Sequence, residues 1–328
     1  MLDRRLIIIG GKGGVGRTTV AAALATVLAR AGRRTLLAHV RTRQRVGQML
    51  GCRELDETIR EVEPNLYAVN MNPAAALEEI GLKVLRFRAV YRAVMHNRLV
   101  KYFLRAIPAL DEYSMLGKAW YHTTEQRDGQ DTYDTVILDG PATGHLVTML
   151  RIPHVIMDVV PEGPLTRDAR EVRDLIVDPA RCGMWIVALA EEMAVSEAVD
   201  LYLAAREDVR VRPERLVVNA LYPESPADAM DLGEDLERLS AAVAGRPDAR
   251  SLEPLIGAAR TIRSRRALNE RHLGALRSRV PLPTIEIPHL FAGEVDRTQL
   301  DRVARRIEQA LAAGDSSGHD SLTADERP

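Results

Sequence analysis

The densest chemistry in the sequence lies in one short run, Gly11-Lys12-Gly13-Gly14-Val15-Gly16-Arg17-Thr18-Thr19. Gly11, Gly16 and Thr18 match the phosphate-binding pattern G-x-x-x-x-G-K-[ST], with Arg17 where the pattern has lysine. Glycines at these places let the backbone curl until N–H groups around Gly13, Gly14 and Val15 point at phosphate oxygens. The helix that follows adds the partial positive charge of its N-terminus. Thr18 is placed to offer a hydroxyl to Mg²⁺, and Thr19 to bond an α-phosphate. Arg17 keeps the charge of a lysine but presents a larger planar fork instead of a compact ammonium. Nucleotide binding is therefore expected, and full stabilisation of a transferring γ-phosphoryl group is not.

A second run, Tyr133 to His145, is an apolar strand ending at Asp139 and followed by Gly140-Pro141-Ala142-Thr143-Gly144. A carboxylate at a strand's C-terminal end lies beside the phosphate loop of such sheets, where it bonds the water shell of Mg²⁺. His145 reads equally as a packing residue. Asn219 follows the apolar pair Val217-Val218, and its amide offers the donor and acceptor that an adenine edge needs. ATP and magnesium are the expected ligands.

These residues need a scaffold that puts loop, acid and amide at one edge. Leu6–Ile9 is a short β-branched run suited to a strand buried on both faces. A helical pattern from Thr18 to Ala31 ends at Gly32, and Thr35–Val40 reads as the next strand. Further strand candidates are Leu66–Val69, Val136–Leu138, Met184–Leu189, Leu216–Val218 and Thr284–Ile287. Helical patterns separate most of them, which predicts an α/β fold with a doubly wound, mostly parallel sheet. Residues 73–126 read as an inserted helical subdomain, and 226–279 as a second helical stretch with an arginine cluster from Arg260 to Arg279. The last helix is expected from Val295 to Ala313, closing a single domain over 1–313, with a polar, disordered tail at 314–328.

Bulk properties narrow the class. The 328 residues are 46 % apolar and carry a net charge of −1, so no chain-wide basic footprint for nucleic acid or anionic membrane exists. A solvated surface is the expected role of the Arg260–Arg279 cluster. The two cysteines, Cys52 and Cys182, lack partners at ligand spacing, which fits a reducing, cytoplasmic setting. Arg4-Arg5 precede an apolar run that stops at Gly10, far short of a signal peptide. No stretch approaches the ~20 apolar residues of a membrane span.

With Lys12 early in the loop, the run Lys12 to Thr19 resembles the deviant Walker A loop of the ArsA/MinD/ParA group. Tyr133-Asp134 before the strand and Thr143-Gly144-His145 after it resemble switch II of the ArsA-like and tail-anchored-protein-targeting ATPases. Asn65–Val69 with Pro73–Glu79, Glu192-Met193 with Glu197, Val217–Asn219 and Pro288–Phe291 resemble further segments of that branch. The resemblance implies that Lys12 reaches a partner subunit's nucleotide, that ATP sits at a two-fold interface, and that Pro288 lies by the base. It implies a homodimer, or a heterodimer with a related ATPase, acting on a protein client. Length sets aside the form with two fused halves.

The pattern breaks where the family's second strand enters switch I. Arg41 stands at the position of the family's water-orienting Asp, within Arg41-Thr42-Arg43-Gln44-Arg45, and arginine accepts no hydrogen bond from water. The resemblance still implies an ATP-hydrolysing, nucleotide-dependent dimeric switch, with hydrolysis weakened by Arg17 and Arg41 and slow or inactive in the chain alone. The long Met-rich insertion, the paired zinc cysteines and the metalloid-binding cysteines of the branch are missing, which disfavours tail-anchor targeting and arsenite pumping. The alternatives are a MinD/ParA-like ATPase that binds membrane or DNA when ATP-loaded, and a non-hydrolysing partner of an active relative.

Overall fold

The computed structural model describes residues 3–40, 45–52, 54–73, 75–76, 110–223, 238, 241–242 and 249–319. The first strand, β1 (Leu6–Gly11), leads into α1 (Arg17–Arg30), β2 (Thr35–Val40), α2 (Arg45–Met49), β3 (Arg60–Glu63) and β4 (Leu66–Met71). Then come α3 (Leu110–Thr124), the short pair β5 (Gln126–Arg127) and β6 (Gln130–Asp131), β7 (Thr135–Asp139), α4 (Thr143–Val159) and α5 (Pro164–Val177). The chain closes with β8 (Cys182–Leu189), α6 (Glu192–Glu207), β9 (Pro213–Leu221), α7 (Ala249–Arg279), β10 (Thr284–Pro288) and α8 (Arg297–His319).

The main sheet has eight strands in the order β10-β9-β8-β1-β7-β2-β4-β3. All pairings are parallel except β3 against β4. Both faces are covered, as the unbroken apolar strands require. Along β1, Leu6 and Ile8 enter the core beneath α4, α5 and α6, while Ile7 and Ile9 enter the core beneath α1 and α8. Helix α1 is buried from Val20 to Ala29 because the sheet lies on one side and α8 on the other. A helix enclosed in this way needs no polar face, which explains its Ala/Val/Leu composition. It ends at Gly32 (φ +84°), where Arg33 N–H bonds Leu28 C=O and Gly32 N–H bonds Ala29 C=O, the Schellman closure.

The expected α/β fold and mostly parallel sheet are present, and every strand candidate is a strand. The final helix is Arg297–His319, so it starts later than Val295 and runs past Gly314, where disorder was expected. Gly314 breaks the pattern of apolar residues but only weakly disfavours helix, at about 1 kcal/mol. Residues 320–328 lie outside the described residues, as do 77–109 of the inserted helical subdomain and most of 224–248. What is described of these two stretches is helical in α3 and α7.

Helix α7 is tied to the sheet edge that carries the site. The buried Asn269 accepts from Tyr222 N–H (3.0 Å) and donates to Ala190 C=O (3.1 Å), bridging the ends of β9 and β8. Arg266 adds a bond to Tyr222 C=O at 2.9 Å. Asn269→Leu would leave the buried Ala190 C=O and the half-buried Tyr222 N–H without this partner, at about 1–3 kcal/mol for the buried group. The variant is expected to unfold at clearly lower urea than the wild type, a shift that a denaturation midpoint measures directly.

Candidate nucleotide site

The chain turns out of β1 at Gly11 and enters α1 at Arg17, so the loop lies above the C-terminal edge of β1, between β7 and β8. This is the edge where open α/β sheets bind ligands. Gly11 has no room for a side chain: a Cβ would stand 2.2 Å from Val187 C=O on β8. Gly13 and Gly14 are exposed, with open space around their Cα atoms. Val15 turns inward to the core and fixes the loop from below. Gly16, at φ +91° and ψ +23°, holds the left-handed cap position of α1. Among the described residues no side chain caps α1, and its first turn holds no acid. Its N–H groups are therefore free for an anion.

Thr18 Oγ1 donates to Asp139 Oδ2 at 2.6 Å. Asp139 ends β7 and is 3 % exposed, yet its Oδ1 bonds nothing among the described residues. A buried carboxylate oxygen without a donor calls for one. Magnesium keeps much of its water shell and takes only one or two protein groups. A hydroxyl already bonded to a carboxylate whose second oxygen is open fits that requirement, so Thr18 and Asp139 suit a hydrated Mg²⁺ beside phosphate.

Arg17 does not reach over the loop. Its Nη1 donates to Gly140 C=O at 2.6 Å and also to Pro141 C=O, tying the start of α1 to the loop after β7. Burial lowers the guanidinium's pKa from its ordinary value, and the nearby Asp139 carboxylate opposes that shift. Lys12 Nζ sits 3.0 Å from Glu197 Oε1 on α6 of its own chain. Thr19, half-buried, lies 3.9 Å from Met49 Sδ.

On the base side, Asn219 Nδ2 donates to Val15 C=O at 2.9 Å, so the amide expected to read adenine also braces the phosphate loop. Pro288 ends β10, paired in register with Leu221. Just beyond it His289 stacks on Tyr222 (centroids 4.9 Å apart, planes at 20°), with Phe291 4.5 Å from His289. Phe291 is 57 % exposed and adopts a positive φ of +50°, so an aromatic wall stands at the open end of β9 and β10. His145 is exposed at the start of α4 and pairs with Glu112 on α3 at 3.1 Å. Arg41 and Arg43 lie outside the described residues, and Arg45 opens α2.

The structure thus brings Gly11, Gly13, Gly14, Val15, Gly16, Arg17, Thr18, Thr19, Asp139 and Asn219 to one edge, with Lys12 on the rim. Sequence reading missed His39. It is fully buried at the end of β2, in register with Asp139, and its Nδ1 is 3.1 Å from Asp139 Oδ2. Its type was visible in the sequence, but the register that sets it beside Asp139 was not.

Residues 4–162 match the family described as anion-transporting ATPase. The chain is 27 % identical over 202 residues to ATPase BagA of Mycobacterium tuberculosis, covering 60 % of this chain and 59 % of that protein. It is 26 % identical over 276 residues to the arsenical pump-driving ATPase of Escherichia coli, covering 75 % of this chain and 46 % of that protein. With ATPase GET3 of Kluyveromyces lactis it shares 28 % over 161 residues, 46 % of each chain. The matched part spans 59 % or less of these relatives' own lengths. Among the described residues no helix is long and apolar enough to cross a membrane.

Proposed function

We propose that this chain is an ArsA-like ATPase, a magnesium-dependent ATP-binding switch that closes two subunits around nucleotide; the match of residues 4–162 to that family supports the reading. The observation that carries the reading is the bare Asp139 Oδ1 beside the Thr18–Asp139 bond, under a loop that ends in an uncapped helix. Backbone N–H groups of Gly13 to Thr19 hold the phosphates, Thr18 and Asp139 hold the hydrated magnesium, and Asn219 with the Pro288–Phe291 loop frames the base. Bound magnesium would neutralise charge between the terminal phosphates. The same edge supports ATP hydrolysis, slowed by Arg17 and Arg41. The partner is a second copy or a related ATPase, the setting is cytoplasmic, and the dimer acts on a protein client.

Lys12 is the intersubunit contact in this reading. Its pairing with Glu197 is about one-third exposed on both sides, and such pairs contribute only ~0.2–1 kcal/mol. A partner's phosphate can displace it at little cost. Calorimetry with light scattering on the same samples tests the switch. MgATP is expected to bind and double the particle mass. Lys12→Ala is expected to bind ATP yet lose at least about tenfold in dimer affinity, the effect of one interfacial charge contact worth about 1.5 kcal/mol or more. A wild-type protein that binds MgATP and stays single would overturn the dimeric switch.

A further inference from the structure

We propose that His39 is a positioning residue that fixes the plane of the Asp139 carboxylate so that Oδ1 is held toward the magnesium water shell. The inference rests on the reading of Thr18 and Asp139 as the magnesium side of the site. His39 and Asp139 are Cα partners on the parallel strands β2 and β7, and both side chains are buried at the C-terminal edge of the sheet. Asp139 Oδ2 accepts from Thr18 Oγ1 at 2.6 Å and lies 3.1 Å from His39 Nδ1. A carboxylate only accepts, so Nδ1 carries the proton in this contact.

Two donors on one oxygen have a geometric consequence. The terminal torsion of an aspartate is broad, without a sharp staggered well. One bond from Thr18 would leave the carboxylate free to pivot about Oδ2, carrying Oδ1 through an arc. A second donor from a different direction removes that freedom and gives Oδ1 one orientation. His39 is itself held rigidly, since it is fully buried in a central strand. Nε2 is buried with no partner among the described residues. The contact therefore engages one ring nitrogen, and the two amide substitutions below separate the two nitrogens.

The test measures ADP affinity of the full chain by calorimetry with and without Mg²⁺, and follows Mn²⁺ in the same site by electron paramagnetic resonance. Groups that orient a metal-side ligand typically change metal affinity by about 10–100-fold when removed. His39→Leu is expected to reduce the gain in ADP affinity from Mg²⁺ by about tenfold and to broaden the bound Mn²⁺ signal, with metal-free ADP affinity unchanged. His39→Asn, whose amide N–H stands near the place of Nδ1, is expected to restore both readouts. His39→Gln, whose amide stands near the place of Nε2, is expected to behave like His39→Leu.

Asp139→Asn separates the two layers of the argument. If Asp139→Asn loses the magnesium effect and His39→Leu keeps it, the positioning role fails while the site reading stands. If Asp139→Asn keeps the effect, the magnesium reading fails and takes this inference with it. Loss in His39→Asn, His39→Gln and His39→Leu alike, with lowered melting temperatures, would assign His39 to packing and overturn the proposal.

Discussion

Gly16→Val is expected to weaken ATP binding at least about 100-fold while the protein stays folded, because two lost charge-assisted hydrogen bonds at ~1.5–3 kcal/mol each already exceed two decades. Gly16 sits at φ +91°, a region where a β-branched residue is a true outlier. Holding valine there costs about 1–3 kcal/mol on its own. Space is the second obstacle. A Cβ on Gly16 would lie 2.2 Å from Asn219 Nδ2, so Asn219 would have to leave its bond to Val15 C=O. The loop must then re-form with its N–H groups out of line with the phosphates, and these groups are what bind ATP in the proposed site. Calorimetry reads the loss, and melting curves check that the sheet is intact. Two companion variants divide the cause. Gly13→Ala meets no atom within 4 Å and should leave the fold untouched with a smaller loss. Asn219→Ala removes the brace without the strain and should fall between. Unchanged ATP affinity in Gly16→Val would mean that this loop does not hold the nucleotide.

Most of the sheet was legible because its strands carry short, continuous apolar runs, and burial on both faces leaves few other readings for such runs. Two kinds of element escaped. Strand β3 reads Arg60-Glu61-Val62-Glu63, a polar edge strand that pairs with β4 alone among the described residues, so its pairing and not its composition defines it. The β5–β6 hairpin was available from its Asp128-Gly129 turn, both residues at positive φ, but strands of two residues carry no periodicity to support the signal. Helix α8 extends past Gly314 because its backbone pattern continues into a polar stretch whose composition alone reads as tail.

At the site, residue types and spacings located the loop, Thr18 and Asp139, since those follow from local sequence. What they touch did not follow. Arg17, at the lysine position of the phosphate pattern, bonds Gly140 and Pro141, a contact set by how β1 and β7 lie side by side. Asn219 was expected at adenine and also braces Val15, which required knowing how far β9 stands from the loop. His39 becomes a site residue only through its register with Asp139. Identity is written in the sequence, whereas adjacency across strands is a product of the fold.

The position of Arg17 bears directly on turnover. Combining Arg17→Lys with Arg41→Asp is expected to raise the ATP hydrolysis rate at least about 100-fold, the low end of what a positioned acid–base or water-orienting group contributes. Arg17 now holds two carbonyls of the loop after β7, both through the N–H groups of its Nη1. A lysine ammonium is a compact charge on a flexible stem and is free to follow the terminal phosphates as charge shifts onto the leaving oxygen. Releasing Gly140 and Pro141 also frees that loop to move with nucleotide. In the proposed reading Arg41 takes the sequence position of the family's water-orienting Asp, and a carboxylate there supplies the acceptor that arginine lacks. Each change alone leaves one requirement unmet, so Arg17→Lys and Arg41→Asp singly are expected to give small gains. Their combination should exceed the sum in a double-mutant cycle, because both act on one transition state. Phosphate release under saturating MgATP, with ATP affinity measured in parallel, separates faster chemistry from tighter binding. A double variant that binds ATP like the wild type and hydrolyses it no faster would show that these two arginines are not what restrains turnover.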